Sequence, residues 1–305
     1  MKKHPVARFC KKALSWRGIR AITPDSWYLR ALFRVNIGRA LNLRDPQTFN
    51  EKLQWLKLYY RRPELTTIVD KYEVRKYIAS KVGEEHLVPL VGGPWNRFDE
   101  IDFSTLPDRF VLKTTHDSGG VALCRDKKTF NVDDARRKLE RALKRNFYWP
   151  AREAPYRRVP PRLVAEQFLD SDADGGLRDY KVYVFNGEAR IINVCSHRFT
   201  DEGLHVTFYD AQWNLLPIRR KFPRELIPEP TPEALNELLT FSERLAGSLP
   251  FVRVDFYLLK GRRYIGELTL YPGAGLEPFE PEEWDATLGS WLDLSVLKAP
   301  RSHNP

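Results

Sequence analysis

The chain is poor in cysteine and has no apolar run long enough to span a membrane. It also lacks the glycine signatures of the common nucleotide folds and has no internal repeat or low-complexity segment. Three cysteines, Cys10, Cys124 and Cys195, stand far apart in 305 residues, in neither metal-ligand nor Cys-x-x-Cys spacing. Reduced thiols in a cytosolic protein are the simplest account. Without a long apolar run no transmembrane helix is expected. Met1-Lys2-Lys3-His4 is basic, but Arg8, Lys11 and Lys12 interrupt what would be the apolar region of a signal peptide, so secretion is not expected. No Gly-x-Gly-x-x-Gly follows a strand pattern and no Gly-x-x-x-x-Gly-Lys-Ser/Thr exists, which removes the Rossmann and P-loop ways of holding phosphate. No helix-turn-helix, zinc-finger or RNP-type motif is present, so a sequence-specific nucleic acid partner is not expected.

What remains is a soluble composition, 42% hydrophobic and 30% charged, long enough for one large or two moderate domains. The net charge of +10 and pI near 9.4 favour anionic partners: nucleotide phosphates, an acidic polysaccharide or an anionic membrane face. Much of the excess sits at Lys2, Lys3, Arg8, Lys11, Lys12, Arg17 and Arg20. Val6, Phe9, Cys10, Ala13 and Leu14 fall between these bases at helical spacing. Residues 5–17 therefore read either as an amphipathic helix on a membrane surface or as a terminal helix packed on its own domain.

Thr48-Phe49-Asn50-Glu51 has the form of a capping box before the periodic run Leu53, Trp55, Leu56, Leu58 and Tyr59. A second helix is expected from near Pro63 to Gly83. Residues 87–94 read as an extended segment and turn. Phe110 to Thr115 and Val121 to Cys124 read as strands around a glycine-containing loop, Asp133 to Lys144 as a charged helix, and Arg162 to Leu169 as a short apolar strand. Asp179 to Phe185 and Glu188 to Cys195 predict a hairpin around Asn186-Gly187. Thr231, Pro232 and Gly247 predict the cap, first turn and stop of another helix. Hairpins mixed with helices, rather than repeated strand–helix units, predict an α+β protein.

Residues 251–275 carry the strongest functional signal. Two apolar-rich runs flank Lys260-Gly261-Arg262, which reads as a three-residue hairpin loop. Alternation sets Val252, Val254, Phe256 and Leu258 on one face and Arg253, Asp255 and Tyr257 on the other. If Leu259 pairs with Arg263, Asp255 stands opposite Glu267 and Arg253 opposite Thr269. Two facing carboxylates repel unless a cation lies between them, and oxygen ligands suit Mg²⁺. An ordinary exposed strand face explains less well why Arg, Asp, Glu and Thr gather on one side only.

Two further segments could carry chemistry. Lys113 ends an apolar strand before Thr114-Thr115-His116-Asp117-Ser118-Gly119-Gly120, a small loop whose backbone N–H groups could fold over phosphates while the lysine adds charge. Leu163-Val164-Ala165-Glu166-Gln167-Phe168-Leu169 could offer backbone groups and an apolar wall to adenine and a carboxylate to ribose. Asp170-Ser171-Asp172-Ala173-Asp174-Gly175 starts like a calcium loop, but its twelfth position is Lys181 rather than Glu. It also contains Asp-x-Asp, a metal-holding pattern of many nucleotide-sugar glycosyltransferases.

In this order the segments resemble the ATP-grasp superfamily, and more closely its TupA-like branch, named for teichuronopeptide synthesis. The resemblance runs through Thr48 to Lys57, Val69 to Arg75, Phe110 to Gly120, Ala165 to Leu169 and Phe251 to Thr269, and covers about Asp45 to about Leu294. It implies an ATP-grasp fold of two α+β subdomains clasping Mg-ATP. Residues 1–45 would form a basic helical extension in place of the usual α/β pre-domain. Residues 46–297 would form the ATP-grasp domain, with a nucleotide-clasping subdomain over about 85–165 and a second over about 166–297. Residues 298–305 would be a disordered tail.

By the same resemblance Lys71 and Lys113 contact the nucleotide phosphates, and Ser118, Gly119 and Gly120 close over them. Glu166, Gln167, Phe168 and Leu169 line the adenine and ribose site, and Asp179 or Lys181 reaches the ribose or the phosphates. Asp255 and Glu267 hold Mg²⁺, with Thr269 where the superfamily usually has Asn, and Arg253 faces the transferring phosphoryl group, so that Arg253 and Lys113 are the catalytic candidates. The implied activity is an ATP-dependent carboxylate–amine ligase, forming an amide through an acyl phosphate in cell-surface or capsular polysaccharide biosynthesis. Its partners would be ATP, an acidic saccharide, uronate or peptide acceptor, and an amine. Its place would be the cytoplasm or the inner membrane face. Three rivals remain: an ATP-grasp kinase with His116 or Asp117 as base toward a sugar hydroxyl, a glycosyltransferase using Asp170 or Asp172, and a non-catalytic anion-binding protein.

Overall fold

Capping and apolar periodicity account for the N-terminal helices in a computed structural model that describes residues 16–170, 177–198, 200–225 and 227–297. Most of the expected 5–17 helix, all of the 298–305 tail, and Asp172 and Asp174 lie outside the described residues. Helix α1 (Arg17–Ile22) leads into α2 (Asp25–Ile37), which buries Tyr28, Leu29 and Phe33. Leu29 and Phe33 pack with Leu41 and Leu43 against Trp55 and Leu58 of α3 (Phe49–Tyr59). The capping box forms as the sequence predicts: Glu51 N donates to Thr48 Oγ1 at 3.4 Å and Thr48 N to Glu51 Oε2 at 3.2 Å.

The single helix expected from Pro63 to Gly83 is two, α4 (Glu64–Val69) and α5 (Val74–Val82). Asp70 divides it. Its buried carboxylate accepts from Tyr72 N at 2.9 Å and from Arg162 at 2.7 Å, while Lys71 N donates across to Thr115 O at 3.0 Å rather than back along a helix. A side chain that bonds its own following backbone competes with helix propagation.

Two antiparallel sheets follow. The first, in order β1-β4-β2-β3, comprises β1 (Leu90–Trp95), β2 (Phe110–Thr114), β3 (Val121–Cys124) and β4 (Leu163–Gln167). Phe110, Leu112, Leu163 and Ala165 form its core with Ala135 and Leu139 of α6 (Val132–Leu143). The short α7 (Tyr148–Ala151) lies on the return to β4. The second sheet, in order β7-β6-β5-β8-β9, comprises β5 (Asp179–Phe185), β6 (Glu188–Ser196), β7 (His205–Asp210), β8 (Phe251–Leu259) and β9 (Arg262–Thr269). Its larger core includes Val182, Val184, Val252 and Val254 together with Leu238 and Leu245 of α8 (Leu235–Ala246). That helix stops at Gly247 as expected but starts late, because Pro232 O accepts from Leu235 N at 3.0 Å and closes a separate turn first. The arrangement is the expected α+β one.

The hairpin loop between β8 and β9 is shorter than the sequence suggests. Leu259 pairs with Arg262, so the turn is Lys260-Gly261 alone, both at positive φ (49° and 73°) as a type I′ turn requires. Continued unbroken, that register would set Asp255 opposite Gly266 and turn Glu267 to the apolar face. A bulge between Asp255 and Phe256 absorbs one residue instead, restoring Asp255 opposite Glu267 and Arg253 opposite Thr269. Gly266 is the absorbed residue, and a Cβ there would meet the Tyr257 ring at 2.9 Å.

Helix α9 (Glu283–Trp291) closes on the start of α3, with Asn50 N donating to Asp285 Oδ1 at 2.8 Å and Lys52 Nζ to Gly289 O at 2.8 Å. A Cβ at Gly289 would lie 2.2 Å from Gln47 O and 2.8 Å from Phe49 N, both backbone atoms that cannot swing aside. Gly289→Ala should therefore lower the unfolding free energy by about 1–3 kcal/mol, the range for overpacking. Urea unfolding measures it, and a midpoint equal to wild type would show that α9 does not sit this tightly on α3.

Candidate functional site

The pleat of the second sheet sets one rung of polar side chains across four strands. Register pairs Asn193 with Lys181, Lys181 with Asp255, and Asp255 with Glu267. The flanking rungs add Asp179 opposite Tyr257, and Arg253 opposite Thr269. The expected gathering of Arg253, Asp255, Glu267 and Thr269 on one face is therefore present, and β5 brings Asp179 and Lys181 to it.

The sequence argument left two facing carboxylates in need of a cation, and the chain supplies three of its own. Arg253 clasps Asp255 with Nε and Nη2, both at 2.6 Å, reaches Thr269 Oγ1 at 3.1 Å, and lies 3.6 Å from Glu267. Lys181 bonds Asp255 and stands 2.6 Å from Asp179. Lys71 stands 3.5 Å from Glu267. Burial alone would raise the Glu267 carboxyl, but Lys71, Arg253, Lys181 and Lys113 hold it down at about 2. Burial lowers the affinity of Lys181 for its proton, yet Asp179 and Asp255 outweigh it and hold the ammonium above its ordinary value. At Asp255, burial pushes the carboxyl up against the pull of Arg253 and Lys181.

Lys71 also ties this sheet to the other one. Its Nζ donates to Asp117 O at 2.5 Å in the loop between β2 and β3 while facing Glu267 on β9. In that loop Gly119 takes φ 95°, and a Cβ on Gly120 would lie 1.9 Å from Thr114 Oγ1, so glycine is sterically required at 120. Ser118 is exposed beside them. On the first sheet Lys113 bonds Glu166, both on the face that β2 and β4 share. Gln167 points outward, and Leu169 is half-buried. The Phe168 ring carries the Arg109 guanidinium at 4.6 Å and that of Arg125 at 5.3 Å.

His116 is a structural hydrogen-bonder: its Nε2 lies 3.3 Å from Ala142 O and 3.1 Å from Arg145 O, and burial lowers its pKa. Asp117 accepts from Thr114 Oγ1 through one oxygen, and its other oxygen is buried without a hydrogen-bond partner among the described residues. Asp170 pairs with Arg109 at 2.8 Å. A surface depression lined by His86, Phe241, Arg244 and Arg263 includes none of the candidate residues.

Arg198 and Asn193 escaped the sequence reading, whereas Tyr257 was expected on this face without a partner. Arg198 reaches Asp179 at 3.2 Å, Tyr257 lies opposite Asp179, whose charge and then burial raise its hydroxyl well above the ordinary value, and Asn193 fills the rung beside Lys181. Asn193 was not within reach, since the Asn186-Gly187 turn continued unbroken would set Ile192 opposite Lys181, and an irregularity between Tyr183 and Val184 adds the one residue that brings Asn193 there. Arg198 is the second residue past the end of β6 and has no periodic signal.

A family model described as TupA-like ATPgrasp matches residues 51–293. Among solved structures, the D-alanine–D-alanine ligase of Bacillus anthracis complexed with ATP matches with 17% identity and TM-score 0.39, over 68% of this chain and 56% of that one. The D-alanine–D-alanine ligase of Helicobacter pylori matches with 17% identity and TM-score 0.42, over 80% and 69%. The ATP-grasp ligase PsnB, complexed with a phosphomimetic variant of its minimal precursor, Mg and ADP, matches with 12% identity and TM-score 0.37, over 72% and 56%. The chain thus spans little more than half the length of the first of these, at 56%. No curated protein matches it.

The electrostatics separate the two carboxylates. Asp255 is 2% exposed and neutralises two buried cations, whereas the Glu267 side chain is 37% exposed. Breaking a buried pair from one side costs about 3–5 kcal/mol, so Asp255→Asn should lose about that much unfolding free energy and Glu267→Gln far less. The Glu267 pKa also predicts a pH slope. Its folded value of about 2 lies below the ordinary 4.5, so its contribution is complete above pH 4.5 and disappears as pH falls toward 2. Urea unfolding across that window should fall more steeply for wild type than for Glu267→Gln. Equal slopes, or equal losses for the two variants at neutral pH, would contradict the charge arrangement.

Proposed function

We propose a function from one premise: this chain belongs to the TupA-like ATP-grasp family. The reading is an ATP-dependent carboxylate–amine ligase acting on an acidic saccharide or its precursor in cell-surface polysaccharide biosynthesis. The observation that carries it is the charged cluster where the two sheets meet. Lys113 and the Ser118-Gly119-Gly120 loop belong to one sheet, Lys181, Arg253, Asp255 and Glu267 to the other, and Lys71 touches both.

In this reading Lys71 and Lys113 turn from their carboxylate and carbonyl partners to the β- and γ-phosphate oxygens, and the glycine loop closes over them. Glu166 to Leu169 border the adenine and ribose. Asp179, whose Oδ1 is buried with no hydrogen-bond partner among the described residues, offers that oxygen to the ribose or the phosphate end. Asp255, Glu267 and the Thr269 hydroxyl form an oxygen-only donor set, and one guanidinium already bridges the two carboxylates, which fits a divalent cation of the Mg²⁺ type. When bound, that ion neutralises charge on the phosphate oxygens. Arg253 presents a planar fork to the transferring phosphoryl group. A substrate carboxylate attacks the γ-phosphorus, ADP leaves, and an amine then displaces phosphate from the acyl phosphate to form the amide. For the kinase alternative, His116 is buried with Nε2 against two backbone carbonyls, which leaves only its buried Nδ1 to act as a base.

Lys113→Ala should weaken Mg-ATP binding about 10–100-fold, the value of a hydrogen bond to a charged group. Calorimetric titration reads this, and unchanged affinity in the folded variant removes the phosphate assignment. UDP-sugars should not stabilise the protein as Mg-ATP does.

With uronates and amino acids supplied, product analysis should find ADP and inorganic phosphate together with an amide. ADP with a phosphosugar would replace the ligase with a kinase, and a nucleoside diphosphate released from a sugar donor would replace it with a transferase. Glu267→Gln should abolish turnover while keeping the fold. Near-wild-type turnover there would sink the metal assignment.

A further inference from the structure

At the outer edge of the second sheet, away from the charged rung, three ligand-type side chains converge. His205 opens β7, directly opposite Ser196 at the end of β6. His197 follows at once, in a left-handed conformation (φ 57°) that swings its ring back toward His205, with ring centroids 5.3 Å apart. Glu225 arrives from the segment after β7, held by a bond from its N–H to Thr207 Oγ1 at 2.9 Å. His205 Nδ1 lies 3.0 Å and His197 Nε2 3.4 Å from the same oxygen, Glu225 Oε1. One ligand atom from each of the three residues lies within 4.8 Å of the other two.

We propose that His197, His205 and Glu225 form a site for a zinc-type transition-metal ion, with one coordination position left to water. Bond lengths of about 2.0–2.2 Å in a tetrahedron separate neighbouring ligand atoms by about 3.3 Å, close to the two separations observed. Two imidazoles and a carboxylate select zinc-type ions over Mg²⁺, which prefers oxygen. The surroundings fit as well. His197 Nδ1 makes no hydrogen bond among the described residues, and the Glu202 carboxylate lies 3.3 Å from it at ion-pair distance. Ser196 Oγ bonds Glu225 at 2.5 Å and orients the carboxylate. The side chains of His197, His205 and Glu225 are 17%, 21% and 22% exposed, so the site is formed yet open to a water. Such an ion would pin the segment that carries Arg198, the partner of Asp179. The site itself does not depend on the ligase reading.

The test uses the full chain, free of any affinity tag, stripped with chelator and titrated with Zn²⁺ against a chromophoric competitor, then with Co²⁺. One equivalent should bind, unaffected by millimolar Mg²⁺, and Co²⁺ should show the intense visible bands of a tetrahedral site. His205→Ala and Glu225→Gln should each weaken Zn²⁺ at least about tenfold. Circular dichroism checks that the variants fold, and the wild-type stoichiometry and cobalt spectrum stand without them. Substoichiometric binding, a weak octahedral spectrum, or undiminished affinity in folded His205→Ala would each overturn the site.

Discussion

A carboxylate buried in the interior cannot stand alone, and the centre of this molecule is organised around that cost. Asp255 sits in the middle of a five-stranded sheet, nearly sealed from water, with Arg253 and Lys181 on its two oxygens. Those cations are themselves buried and need their own partners, which draws in Asp179, Glu267 and the Thr269 hydroxyl. The result is a closed set of charges across neighbouring strands. Attraction in this low-dielectric setting offsets desolvation only while every member is present and aligned. A one-residue slip in β8–β9 pairing would put Glu267 on the apolar face and leave Arg253 with one carboxylate fewer. The bulge at Gly266 therefore does electrostatic work as well as steric work.

The same demand joins the two halves. Asp70 breaks a helix to bond Arg162, whose carbonyl accepts from Thr115 N at 2.9 Å, and Lys71 is left between Asp117 O and Glu267. A nucleotide bound there would bring phosphates to Lys71, whose present partners are a carbonyl and a partly exposed carboxylate, and to Lys113, whose partner Glu166 is buried. For Lys71 that exchange is less costly than opening Asp255, because Glu267 already faces solvent. On this view Lys71, Lys113 and the glycine loop adjust first, and a cation on Asp255 and Glu267 would take the place that the Arg253 guanidinium holds now, freeing its fork for the phosphoryl group.

Much of this was legible in the chain. Pleat alternation over residues 251–258, the Asn186-Gly187 turn, the Thr48–Glu51 box and the stop at Gly247 rest on local backbone chemistry and appear where expected. The Asp255–Glu267 pairing was also expected, although by way of a turn one residue too long. The observed turn and bulge reach the same register, since one residue added in the strand replaces one removed from the loop. The helix across 63–83 could not be divided from sequence, because Asp70 breaks it through an arginine more than ninety residues away, Arg162.

What the sequence determined by itself is therefore what has a period or a cap: the helices and hairpins, the polar face of β8, and the order of segments that marks the family. These depend on neighbours within a turn of helix or across one hairpin. What only the tertiary structure decided is which charge answers which. Lys181 for Asp255, Lys71 for Glu267, Arg198 for Asp179, and the meeting of His197, His205 and Glu225 all depend on strands or loops distant in the chain. Electrostatic partners are chosen by proximity and desolvation after the sheets have packed, and neither is written in local sequence.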